Sequence, residues 1–433
     1  MIHTLHNSRS RRGVRHGRPL ATCLALCGAL VGSAEAAWTE RGVALVAAKA
    51  LVCAPDGPQT IDDAVLLIED GLIVALGRAD ELEVPDGFER VDLGDRWVMP
   101  GMIDLHSHIS GAFDINDTVF QVNSGLRVSA TMRPNNRAQQ VALASGVTTI
   151  LYIPGSGSNV GGVGILHRTS HGTFEEVLIR EPGSLKVAQG DNPTRWAYGM
   201  GRLGMNYHIR SAMREGKAYA ERWTEYEAGT GDRPERRLNL DIYRALLSGE
   251  TQISTHTQYY QVVLSSLRLL SAETGFDAYI DHGSFDSWKL GGIAKDLGVA
   301  AILGPREVLF PRPPRFDTDG RAEGSAWGFQ RMGVEQIGFN TDAPVVPQHE
   351  LTVQAAMGVR YGMDDSGMAS VRGLTIVPAQ VAGIDDRLGS LEAGKLADVL
   401  VVTGHPADPR SSIERVYIQG SLVYDTEQEV RRW

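Results

Sequence analysis

The sequence predicts an α/β chain: a (β/α)8 barrel of the TIM type with a small β-sandwich-like domain formed from both chain ends. Three observations predict it. Between Val98 and Ala382, short apolar runs alternate with amphipathic stretches, the pattern of successive βα units. Polar residues able to bind metal stand at the carboxyl ends of those runs, and in such a barrel these ends share one face. The segments before and after this span are β-rich and broken by tight-turn residues.

Residues 1–36 stand apart from the 433-residue whole. Arg9, Arg11, Arg12, Arg15 and Arg18 form a basic start, Leu20 to Val31 an apolar stretch, and Ala34-Glu35-Ala36 a small-x-small cleavage pattern. This is the build of a secretory signal cleaved near Ala36. The apolar stretch is too short to anchor the chain by spanning a bilayer. A periplasmic or secreted protein is expected. Arg11-Arg12 is followed by Gly13-Val14, which leaves the Sec and twin-arginine routes both open.

Residues 1–36 hold five arginines and one glutamate, so the remainder has 37 basic and 51 acidic residues, net −14. A chain this acidic is not built to bind nucleic acid. Beyond Cys23 and Cys27 of the signal, Cys53 stands alone, so no internal disulfide is available.

Residues 37–97 and 383–433 make up the small β-domain. Val43–Val46, Ala64–Glu69 and Leu72–Ala75 read as strands, with Asp70-Gly71 as a hairpin turn. Val399–Val402, Val416–Ile418 and Leu422–Tyr424 repeat the style with Gln419-Gly420 as the turn.

Residues 98–382 form the barrel. Its strand-like runs are Met99–His106, Val147–Ile153, Leu185–Ala188, Gln252–His256, Ala278–His282, Val299–Leu303 and Gln336–Asn340. An eighth falls in Gly164–Arg168 or Val177–Ile179. Trp196 to Arg237 is expected to be a helical cap over the site. The glycine-rich Pro154–Gly162 lacks a following Lys-Ser/Thr, so it reads as a shaped active-site loop and not a phosphate cradle.

Val98-Met99-Pro100-Gly101-Met102-Ile103-Asp104-Leu105-His106-Ser107-His108 ends in two histidines one residue apart. Alternation along a strand puts both on one face, where neutral imidazoles suit zinc and similar ions. Lys186, Asp191, His256, His282 and Asp342 stand at or just past the ends of later runs. Arg306, after Gly304-Pro305, and Tyr152 are candidates to bind substrate.

These motifs resemble the amidohydrolase superfamily, specifically its imidazolonepropionase-like metal-dependent hydrolases. They are Pro100-Gly101-x-Ile103-Asp104-x-His106-x-His108, Gly146-Val147-Thr148-Thr149, the two late histidines and Thr341-Asp342-x-Pro344. The resemblance runs from Gly71–Gly77 to Gly394-Lys395-Leu396-Ala397-Asp398-Val399 and the strands beyond. It implies that His106 and His108 hold a buried metal, and that His256 and His282 hold a second. Asp342 would touch the first metal and take the proton of the attacking water. It also implies a ligand after the fourth strand, either a carboxylated Lys186 or Asp191, which stands where one branch has glutamate. A centre with neither, holding one metal, is the third alternative.

The resemblance therefore implies a divalent cofactor, one or two ions of zinc type. The expected activity is cleavage of a C–N bond in an amide, cyclic amide or small peptide by metal-activated water, with Asp342 as general base and then acid. Esterase, lactonase or phosphotriesterase chemistry uses the same machinery. A decayed barrel that only binds ligands is the reading from outside enzymes. The expected partner is a small-molecule substrate, without nucleic acid or a stable membrane anchor, and a homo-oligomer is compatible with the sequence.

Overall fold

Runs rich in Val, Leu, Ile and Ala pair early in the chain because their apolar faces must leave water together. The computed structural model describes residues 42–112, 114–196, 201–304 and 324–429, with residues 191, 195 and 196 by backbone alone. The signal-like segment 1–36 lies outside the described residues. The first strands are β1 (Gly42–Leu51), β2 (Thr60–Glu69), β3 (Leu72–Arg78), β4 (Phe88–Asp92) and β5 (Trp97–Pro100). β1 pairs antiparallel with β2, and β2 with β3. The Asp70-Gly71 turn between them has φ of 51° and 79°, the mirror-image turn that matches strand twist.

After Gly101 the chain leaves this sheet for the barrel, so the run Met99–His106 is divided between two sheets. The barrel strands are β6 (Met102–Ser107), β7 (Val147–Tyr152), β8 (Val160–Arg168), β9 (Leu178–Ala188), β10 (Ile253–Thr257), β11 (Ala278–His282), β12 (Ala301–Leu303) and β13 (Ile337–Phe339). They pair in sequence order. β6, β7 and β8 are buried along their whole length, since inner side chains fill the barrel and other layers cover its outside.

The eighth strand is β8, which contains Gly164–Arg168, whereas Ile179 belongs to β9. β8 runs antiparallel to both β7 and β9, so the barrel has seven parallel strands and one reversed. The reason is the connection. Seven residues separate β7 from β8, too few for the crossover a parallel neighbour requires.

The ends of the barrel sheet meet around Gly373-Leu374. Leu374 O accepts from Ile103 N at 2.9 Å and Gly373 O from Phe339 N at 3.2 Å, one on each side of the gap. Higher up, Ala343 O accepts from His108 N at 2.8 Å.

The helix Arg202–Glu227 lies on the outer layer and not over the site as expected. Its buried Ile209, Met213 and Tyr219 belong to one apolar cluster with Val163, Leu185 and Ile253 of the barrel wall. Repeated small and apolar residues along one side gave it a face for the wall. The polar side that suggested a cap faces solvent.

The chain ends in β14 (Val399–Val402), β15 (Ile413–Ile418) and β16 (Ser421–Asp425). β14 pairs antiparallel with β5, so strands from both chain ends form one sheet in the order β16-β15-β14-β5-β1-β2-β3, with β4 on β1. Gly71 O accepts from Ala397 N at 2.9 Å, and Ala397 O accepts from Gly420 N at 3.0 Å, so the two hairpin turns clasp one residue between them. Among the described residues no helix is long and apolar enough to cross a membrane.

Candidate metal centre

Carboxyl-end residues of four parallel strands meet inside the barrel mouth. His106 is the penultimate residue of β6 and His108 follows that strand. His256 lies near the end of β10, His282 ends β11, and Asp342 lies three residues past β13. One ligand atom each from His106, His256, His282 and Asp342 falls within 4.8 Å of the others; the three histidines are buried and the Asp342 side chain is 13% exposed. His282 and Asp342 take left-handed backbone angles, φ 76° and 50°, which are costly for non-glycine residues and concentrate at functional sites.

The hydrogen bonds assign the tautomers. His106 Nδ1 faces Asp281 Oδ2 at 2.5 Å, His108 Nδ1 faces Ile153 O at 2.9 Å and His282 Nδ1 faces Gly304 O at 2.6 Å. Each of these nitrogens donates, so in the neutral imidazole each Nε2 carries a lone pair. Those lone pairs point at other acceptors. His106 Nε2 and His108 Nε2 lie 3.3 and 3.2 Å from the same oxygen, Asp342 Oδ1. His282 Nε2 lies 2.8 Å from His256 Nδ1. Acceptors facing one another in a buried space repel unless a cation lies among them; Lys186 Nζ reaches one of them, His106 Nε2, at 3.1 Å, and the donor set as a whole fits a divalent metal.

The protonation equilibria agree. Burial lowers the pKa of His108, brings His282 down to about 4, and holds His256 well below the usual histidine range. Neutral imidazole is the ligand form. At His106 burial also pulls downward, but the charges of Asp281 and Asp342 outweigh it, and the pKa rises. A cation at that nitrogen, proton or metal, is favoured there. At Asp342 burial pushes upward, yet His106 and the bonds from His106 and His108 hold the carboxyl well below its usual range. It is an ionised carboxylate.

Lys186 on β9 is fully buried, with Nζ 3.1 Å from His106 Nε2. Burial lowers its pKa to about 8, which brings the neutral amine within reach of ordinary pH. Asp191 opens the helix Asp191–Trp196, and its side chain lies outside the described residues. Arg306 also lies outside them. Tyr152 is at the end of β7, but its hydroxyl is bonded to Thr131 Oγ1 at 2.7 Å and not to the cluster.

Three residues of the site were not singled out from sequence. Asp281 orients His106. Asp104 accepts from His106 N at 2.9 Å through one oxygen, and from Thr341 N at 3.1 Å and Thr341 Oγ1 at 2.6 Å through the other. It thereby ties β6 to the residue before Asp342. Burial raises its pKa to about 6 against those bonds. Ser156 of the β7–β8 turn brings Oγ 2.9 Å from His256 Nδ1. Asp104 was visible inside the His-x-His motif. Asp281 was hidden because simple alternation sends it and His282 to opposite faces, and nothing foretold the backbone turn at His282.

Comparison with known proteins finds relatives of one kind. Residues 327–427 match the model of the Amidohydrolase family. The chain is 24% identical over 396 residues to the amidohydrolase tasK of Hapsidospora irregularis, covering 83% of this chain but only 40% of that protein. It is 23% identical over 380 residues to an imidazolonepropionase of Maricaulis maris, covering 81% of this chain and 90% of the relative. The structure of an amidohydrolase from Thermotoga maritima superposes with a TM-score of 0.78 at 28% identity, covering 88% of this chain and all of that one.

Proposed function

Because the chain belongs to the amidohydrolase superfamily, among its imidazolonepropionase-like members, we propose that it is a metal-dependent hydrolase of a carbon–nitrogen bond in a small molecule. The substrate class is a linear or cyclic amide or a short peptide. The observation that carries this reading is the convergence of four ligand atoms, from His106, His256, His282 and Asp342, within 4.8 Å.

His106, His108, His256, His282 and Asp342 would hold the ion, and imidazole with carboxylate suits zinc. A divalent ion there supplies Lewis acidity, making water nucleophilic near neutral pH and polarising the scissile carbonyl. Asp342, ionised and facing two histidines, accepts the proton of the attacking water and returns it to the leaving nitrogen. Lys186 is our choice for the ligand after the fourth strand, because its neutral amine can add CO2 and, on losing a proton to solvent, become an anionic carbamate beside His106. Asp191 is the alternative. Asp281 and Asp104 orient His106 and the approach to Asp342.

The test is metal analysis of the purified protein with hydrolysis of N-acyl amino acids, dipeptides, cyclic imides and matched esters. Amide cleavage lost on chelation and restored by a divalent ion is the expected result. Undiminished cleavage by metal-free protein, or turnover of the esters alone, would overturn the proposal.

We propose also that the chain is exported, with a mature start at about Ala37. The support is the tripartite character of residues 1–36. Mass spectrometry of the exported protein checks it; an active extracytoplasmic form that still begins at Met1 would refute it.

A further inference from the structure

We infer that Ser156 is a metal ligand, completing with His256 and His282 a donor set on the β10–β11 side of the centre. This rests on the metal-dependent reading above and adds to it a residue from the reversed hairpin.

The turn that carries Ser156 is held from behind. Gly155 N donates to Ile115 O at 2.9 Å, and Gly157 N donates to Asn116 Oδ1 at 2.8 Å. A Cβ on Gly155 would stand 2.3 Å from Asn116 Nδ2 and 2.4 Å from its Oδ1, so any larger residue there would push that amide aside. Glycine at 155 thus lets the turn press onto Asn116. Ser156 is left 5% exposed, with Oγ 2.9 Å from His256 Nδ1.

His256 Nδ1 has a second neighbour, His282 Nε2 at 2.8 Å. His282 Nδ1 donates to Gly304 O, so its Nε2 has only a lone pair to offer. If His256 Nδ1 is bare, Ser156 can donate to it, but the His282 lone pair still opposes it. If His256 Nδ1 carries a proton, His282 is satisfied and Ser156 faces a hydrogen already committed. A single proton on His256 Nδ1 or on the serine hydroxyl serves one of the two contacts fully and leaves the other poorly matched. An ion accepts electron pairs from all three at once. Serine brings a neutral oxygen donor to a side otherwise made of imidazole.

Cobalt reads the contact directly. In Ser156→Cys loaded with Co2+, a thiolate touching the ion gives a sulfur-to-metal charge-transfer band in the near ultraviolet that the wild type lacks. In Ser156→Ala, affinity for Zn2+ or Co2+, measured by chelator competition, should fall roughly tenfold or more. Circular dichroism and melting of both variants report the fold. Should the cysteine variant not fold, the alanine affinity decides. Wild-type affinity in Ser156→Ala, or bound Co2+ without the band in Ser156→Cys, would overturn this inference alone. A wild-type protein that binds no divalent ion would overturn the proposed function and this inference with it.

Discussion

His106 Nδ1 lies 2.5 Å from Asp281 Oδ2, and both side chains are fully buried. A carboxylate on β11 therefore decides which nitrogen of a β6 histidine faces the cluster. Asn340 Nδ2 steadies that carboxylate, donating to Asp281 Oδ1 at 3.1 Å. Partners of this kind fix the ligand tautomer and raise its basicity. Asp281→Asn keeps the shape but removes the charge and offers no certain acceptor. Metal affinity should drop roughly 10- to 100-fold, read by chelator competition. Affinity equal to wild type would mean that His106 is oriented by packing alone.

Asp342→Asn separates proton transfer from metal holding. Asparagine retains size and one acceptor but cannot take a proton from water. We expect kcat to fall roughly 100-fold or more, the scale of a positioned acid–base group. Metal content should fall far less, because the histidines remain. Near-normal turnover with lowered stability would assign Asp342 to the architecture of its turn.

Acid sensitivity should have a source away from the centre. His167 on β8 is fully buried between Ser110 Oγ at 2.7 Å and the Arg168 carbonyl at 2.7 Å. Burial lowers its pKa from 6.5 to about 4. Between those values the unfolded chain binds a proton and the folded chain does not. Stability that is complete above pH 6.5 is therefore lost as pH falls toward about 4, at up to about 1.4 kcal/mol per pH unit. Urea unfolding at several pH values should show a shallower slope in His167→Gln. The same slope in variant and wild type would discount the residue.

Gly304 supports two parts of the site at once. Its φ is 131°, its carbonyl accepts from His282 Nδ1, and an added Cβ would lie 2.1 Å from the Asn340 carbonyl oxygen. That neighbour is backbone and cannot swing aside. Gly304→Ala should cost at least about 2 kcal/mol in denaturant unfolding, with weaker metal binding as His282 shifts. Unchanged stability would show that the two strand ends yield more easily than their spacing implies.

Much of this was legible in the sequence because the signals were local. His106 and His108 share a face by alternation alone. Asp70-Gly71 and Gln419-Gly420 marked turns whose left-handed angles only a few residue types accept readily. What escaped depended on the chain's return. The reversal of β8 follows from the length of its connection, which was uncertain until the strand limits were known. The helix Arg202–Glu227 looked like a cap because its exposed side is polar, and only the wall residues Val163, Leu185 and Ile253 reveal its other side. Asp281 and Ser156 acquire meaning from His106 and His256, 175 and 100 residues away.

The reversed strand also sets an order of assembly. β7, β8 and β9 form a meander whose links are seven and nine residues long, so little loop entropy opposes their pairing. The seam between β6 and β13 joins Asp104 to Thr341, 237 residues apart. Contacts that distant are expected late, after the strands between them have zipped from the meander outward. His106 and Asp342 stand on opposite sides of that seam, so a nascent chain reaches metal competence only as the barrel shuts. In pulse-labelled refolding, amides of β8 should gain protection before those of β6; the reverse order would place the nucleus at the seam.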